Sequence, residues 1–155
     1  MNEKIIANIL SVVKSGDEIY HLGDLASKRY YLDHFFDRLP FDVKFHWIIG
    51  NHDRGWENFK KRCTSTSFLK DIKVNGNPIT LCHYPMLTWN KSHYGAWMLY
   101  GHHHKNSHGS KEIEKLARGK MLNVNVEFND YKPYSEKDIE NIMNGKPDNW
   151  DLIKR

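Results

Sequence analysis

Four short apolar runs dominate this chain, and each stops at a loop built from glycine, histidine, asparagine or aspartate. Glu18 to Leu22 ends at Gly23-Asp24, Val43 to Ile49 at Gly50-Asn51-His52-Asp53, Pro78 to Cys82 at His83-Tyr84-Pro85, and Ala96 to Tyr100 at Gly101-His102-His103-His104. Runs of this length between turn residues read as buried strands. In α/β architectures, groups placed just beyond strand ends converge, because a rigid sheet holds the loops together. The pattern therefore predicts an α/β fold with one polar cluster.

The remaining periodicity fills in the frame. Ile5, Ile6, Ile9, Leu10 and Val13 recur at helical spacing, and Lys28 to Arg38 carries Tyr31, Leu32, Phe35 and Phe36 on one face before Pro40. Ser67 to Val74 and Pro78 to Cys82 around Asn75-Gly76-Asn77 predict a hairpin, Leu122 to Phe128 a further strand, and Ser135 to Met143 a capped helix that ends near Gly145. No repeat or linker interrupts the 155 residues, so one domain spanning 1–155 is expected. No apolar run approaches the roughly 20 residues of a membrane span, and the N-terminus lacks a signal-peptide pattern, so a cytoplasmic location is expected. The two cysteines, Cys63 and Cys82, are too few for a disulfide framework and read as packing residues. A net charge of +4 favours anionic ligands without choosing among them, and Lys60, Lys61 and Arg62 read as a solvated turn.

The polar set at the strand ends is one aspartate, one asparagine and several histidines. That mixture suits Mn, Fe, Ni or Zn better than calcium, which calls for more carboxylates, and the scarcity of thiolates argues against a structural zinc site. Singly, each loop is an ordinary turn. In this order, after successive strands, the four are specific.

The sequence resembles the calcineurin-like metallophosphoesterases, in particular small bacterial and bacteriophage-type members, in HLGDLA, IIGNHD, LCHYPM, YGHHHKN and NVNVEFNDYKP. The resemblance runs from Met1 to about Met143 and implies a metallophosphoesterase-like αββα sandwich, two β-sheets flanked by helices, with two metals in intact relatives. It implies that Asp24 bridges the metals, that Asn51, His83 and His102 complete the second, and that His104 joins Asp24 at the first. No Asp-x-His precedes Gly23-Asp24, and Leu25-Ala26-Ser27 replaces the spacing to a second aspartate. The expectation is an N-terminally shortened domain with its first strand missing, one tightly held ion, and either dimerisation or shielding by the first helix at the exposed sheet edge. His21 is discounted as a substitute ligand.

The implied activity is metal-dependent hydrolysis of a phosphate mono- or diester, with nucleotides and nucleic acid left open as substrates and no membrane partner. His52 is expected as the general acid, Asp53 as the residue orienting it, and Arg54 as a contact to substrate phosphate. His103 is expected to point away from the metals, while Tyr84 and Trp89 are placed beside the cleft. His34, His46, His93 and His108, with Trp47, Trp56 and Trp97, read as structural. The competing class is a degenerate phosphoesterase fold, phage-encoded or otherwise, that serves as a binding or inhibitory protein. Metal-stimulated cleavage of a generic aryl phosphodiester separates the two.

Overall fold

A computed structural model describes residues 2–26 and 28–153; the ends of the expected 1–155 domain and Ser27 lie outside the described residues. The elements are α1 (Asn2–Val12), β1 (Glu18–His21), α2 (Arg29–Arg38), β2 (Lys44–Ile48), β3 (Ser65–Ser67), β4 (Leu69–Val74), β5 (Asn77–Cys82), β6 (Trp97–Tyr100), α3 (His108–Leu116), β7 (Met121–Asn123) and α4 (Glu136–Asn144). Short 3-10 helices at Trp56–Arg62, Ser92–Tyr94 and Val126–Phe128 join them.

The strands form two sheets, β1-β2-β3 and β4-β5-β6-β7. Every pairing is parallel except β4 with β5, whose two-residue turn, Asn75-Gly76, takes positive φ at both positions. That is the backbone a tight hairpin requires and the reason an Asn-Gly pair sits there.

Alternation along the strands sets the layers. Phe45, Trp47 and Ile49 face Ile6 and Ile9 of α1 and Leu32, Phe35 and Phe36 of α2. Ile48, between Trp47 and Ile49, and Leu22, just past β1, face the other way, onto Ile79, Leu81, Trp97 and Leu99 of the second sheet. Met98 and Tyr100 of β6 point outward again, where Ile113 of α3 and Ala117, just past its end, cover them. All four residues of β6 are therefore buried, which is why it reads as an unbroken apolar run. The order helices, sheet, sheet, helix is the predicted αββα sandwich.

Two features close the rim between the sheets. Met143 of α4 is fully buried against the inter-sheet core. His46, buried on β2, receives the Ser65 hydroxyl on Nδ1 at 2.7 Å and donates Nε2–H to Glu18 at 2.7 Å, while Lys70 of the second sheet donates to Ser65 at 3.2 Å. His46 is thus structural, as the sequence suggested.

Two expectations fail locally. Leu122 to Phe128 is not one strand: β7 stops at Asn123, because the Asn125 side chain accepts the Glu127 N–H at 3.0 Å and turns the chain into a 3-10 helix. Helix α3, capped by Ser107, was not foreseen because His108-Gly109-Ser110 carries no apolar stripe. The Ser135 capping box with Asp138 forms as predicted.

Candidate metal centre

The C-terminal ends of β1, β2, β5 and β6 lie together, since each pair within a sheet runs parallel. The loops that follow bring Asp24, Asn51, His83 and His102 to one point. His83, buried at 1% exposure, is the anchor. Its Nδ1–H donates to the Leu22 carbonyl at 2.7 Å; a carbonyl only accepts, so in the neutral ring Nε2 is a bare lone pair. That Nε2 stands 3.0 Å from Asn51 Oδ1, 3.1 Å from His102 Nδ1 and 3.4 Å from Asp24 Oδ2.

Four such atoms thus converge around the buried His83 ring, with Asp24 and His102 half-buried and Asn51 exposed. One proton, on either imidazole, satisfies one of these contacts, whereas a divalent cation at the centre satisfies all of them. The spacing fits: ligand atoms each about 2.1 Å from one ion, at ~90–110° to one another, lie roughly 3.0–3.4 Å apart. The ligating atoms of Asp24, His83 and His102 all fall within 4.8 Å of one another. The residues present therefore fit a transition-metal ion.

The loops are shaped for this approach. Gly23, at φ +93°, lies against Gly50, and a Cβ on it would meet Gly50 Cα at 2.8 Å and press on His83 Nδ1; a Cβ on Gly50 would strike the Asp24 carboxylate. Asp24 (φ 57°) and His102 (φ 65°) both hold left-handed backbone, a conformation costly for residues with a Cβ.

Burial and the neighbouring His83 and His103 hold the His102 pKa below its ordinary 6.5, and burial with His83 does the same to His103. Both rings therefore keep a lone pair available at neutral pH.

The structure corrects the role expected of Asp53. This buried carboxylate does not reach the His52 ring. Its Oδ2 accepts the N–H groups of Asp24 (2.8 Å), Gly50 (2.8 Å) and the Trp47 indole (3.1 Å), and its Oδ1 accepts that of Leu25 (2.8 Å). Asp53 therefore ties the loop after β1 to the loop after β2. His52 is exposed at the lip of the cleft, its backbone N–H donating to Asp24 Oδ1 at 2.8 Å. Arg54 is exposed beyond it.

His104 stands outside the four-residue cluster. It borders a cleft of about 310 Å³ that is also lined by Asp24, His52, His102 and His103, with Ser107 and Gly109 at the start of α3. His103 also lines the cleft, its ring resting against Gly109, and it stands outside the group of Asp24, His83 and His102. His104 Nδ1 is instead paired with Glu127 at 2.9 Å, a residue the sequence reading passed over as part of a strand. Tyr84, half exposed, meets the rings of His83 and His102 edge-on at 4.9 and 4.8 Å. Trp89 is buried in the outer core and does not line the cleft. His21 is not part of the cluster; its Nδ1 accepts the Gly23 N–H at 3.2 Å.

Fold and site together define a class: a two-sheet α/β sandwich with a group of side chains able to hold a metal at its strand ends. The chain belongs to the calcineurin-like phosphoesterase superfamily, whose domain model matches residues 1–126. It is 33% identical over 138 residues to the uncharacterized protein MJ1445 of Methanocaldococcus jannaschii, an alignment that covers 87% of this chain and 70% of that one. The crystal structure of AQ665, a protein of unknown function from Aquifex aeolicus, superposes with a TM-score of 0.70 at 30% identity and covers 91% of this chain and 84% of its own. No helix among the described residues is long and apolar enough to cross a membrane.

Proposed function

We propose that the protein is a metal-dependent hydrolase of phosphate mono- or diesters, with Asp24, Asn51, His83 and His102 holding one divalent ion. The observation that carries this reading is the His83 ring, whose Nδ1–H is committed to a carbonyl while Nε2 faces three further acceptors. A divalent ion bound there supplies hydroxide at neutral pH and neutralises phosphoryl charge.

The protein's own groups do the rest. Asp53 holds the two ligand loops in register, so Asp24 and Asn51 need no reordering when a ligand arrives. His52, at the cleft lip and outside the cluster, is placed to protonate the departing alkoxide. Arg54, on the same loop, offers a cation to substrate phosphate.

The test is metal content and turnover on bis-p-nitrophenyl phosphate after dialysis against chelator and reconstitution. We expect about one equivalent of Mn, Fe, Ni or Zn bound and metal-stimulated hydrolysis, both abolished in His83→Ala. Metal binding without turnover on any phosphoester would transfer the fold to the binding-protein class; failure to bind metal would remove the reading altogether.

A further inference from the structure

The Glu127–His104 pair has no part in the four-residue cluster, yet it is built with care. Asn125 accepts the Glu127 backbone N–H at 3.0 Å and fixes the 3-10 turn on which Glu127 stands. The carboxylate is then divided between two donors. Oε1 takes the His104 Nδ1–H at 2.9 Å, and Oε2 takes the Lys105 backbone N–H at 2.9 Å.

The same pair of loops is stitched again by Asn123 and Asn125, whose side-chain amides donate to the His103 carbonyl at 3.0 and 3.4 Å. The exposures of the two partners differ sharply: the His104 side chain is 69% exposed and the Glu127 side chain 20%. An exposed imidazole ordinarily samples several rotamers and both tautomers. Here a half-sheltered carboxylate, itself immobilised by the Lys105 amide, takes one ring nitrogen.

We infer that Glu127 is a positioning residue for His104, whose ring borders the cleft: by holding the Nδ1–H it fixes the tautomer and leaves Nε2 as a lone pair. The inference follows from proton counting. An ionised carboxylate only accepts, so the shared proton belongs to Nδ1, and a neutral ring then has none on Nε2. Nε2 is thereby made a ligand or proton acceptor toward whatever occupies the cleft, as carboxylates behind metal-facing histidines do. The pair deepens the phosphoesterase reading by supplying a fifth group to the same cleft, and its functional meaning rests on that reading.

The test uses the full-length, metal-free protein and long-range 1H–15N spectra of its histidine side chains, with His104 assigned by His104→Gln. Wild type should show His104 as the Nδ1–H tautomer. Glu127→Ala should move it toward Nε2–H, and Glu127→Gln, whose amide oxygen can serve only one of the two donors well, should give an intermediate pattern.

An Nε2–H tautomer in wild type, or an unchanged His104 in Glu127→Ala, overturns the proposal. If Glu127→Ala fails to fold, the wild-type and Glu127→Gln spectra decide. A tautomer that responds as expected in a protein without metal-stimulated hydrolysis would sink the phosphoesterase reading and leave the positioning role standing.

Discussion

Asp53 and His52 are neighbours in sequence with opposite fates, and that contrast makes the clearest residue-level prediction. Asp53→Ala strands four buried or half-buried N–H groups at once and should destabilise the fold by about 3–5 kcal/mol in urea denaturation, losing metal binding with it. His52→Ala removes an exposed ring and should leave stability within about 0.5 kcal/mol and metal content unchanged. Its turnover should fall roughly 10²- to 10⁴-fold on alkyl phosphodiesters and far less on p-nitrophenyl esters, whose leaving group barely needs a proton. Protons supply a second prediction at this scale. His21, His102 and His103 are all held below their ordinary 6.5, chiefly by burial, so the unfolded chain takes up protons more readily than the folded one. Stability of the metal-free protein should therefore fall as pH drops below 6.5 and level off once it passes the depressed values. A second fall should begin below 4.5, where Glu18, whose carboxyl is lowered by its bond to His46, starts to protonate. Thermal melts in chelator across pH 3–8 check both stages, and His102→Gln should shallow the first.

Elements divide into those whose residues announce them and those that tertiary contacts impose. The strand ends were legible because an apolar run followed by Gly-Asp, Gly-Asn-His or Gly-His has few other readings, and Asp24, Asn51, His83 and His102 do meet. Asp53 was misassigned because nothing in Asn51-His52-Asp53 says that the carboxylate turns inward to the backbone of another loop. Glu127 escaped notice for a similar reason: the alternation Val124, Val126, Phe128 mimics a strand, and only the Asn125 side chain, bonding locally, breaks it. Helix α3 was missed because its apolar contacts are few: Ile113 falls late in it and Ala117 just beyond its end. Where local chemistry is explicit, the energetics should follow it. Ser135→Ala, which removes the capping box of α4, should cost about 1 kcal/mol by thermal denaturation. Gly50→Ala should leave secondary structure intact by circular dichroism but displace Asp24 and weaken metal binding, because its methyl occupies the space of that carboxylate.

Taken as a whole, the molecule is held by three apolar layers, and Met143, from the C-terminal helix, plugs the one between the sheets. Met143→Ala should cost about 2–5 kcal/mol, since a fully buried side chain leaves a cavity the two sheets cannot close without shifting. The topology that gathers the site also dictates how the chain must find it. Among the described residues, four of the five strand pairings are parallel, and each of those waits on a crossover; only β4 and β5 can zip locally. Loop closure must precede reward in every other case, which slows the search and concentrates early order in the hairpin. Stopped-flow refolding should show this asymmetry as a division of labour between rates. Gly76→Ala, which strains the Asn75-Gly76 turn, should mainly retard folding, whereas Met143→Ala should mainly accelerate unfolding, the outcome expected of a helix that docks late. The four metal-facing residues, spread from Asp24 to His102, would then assemble only near the end of that search, so that a nascent or partly folded chain presents the hairpin long before it presents a place for an ion.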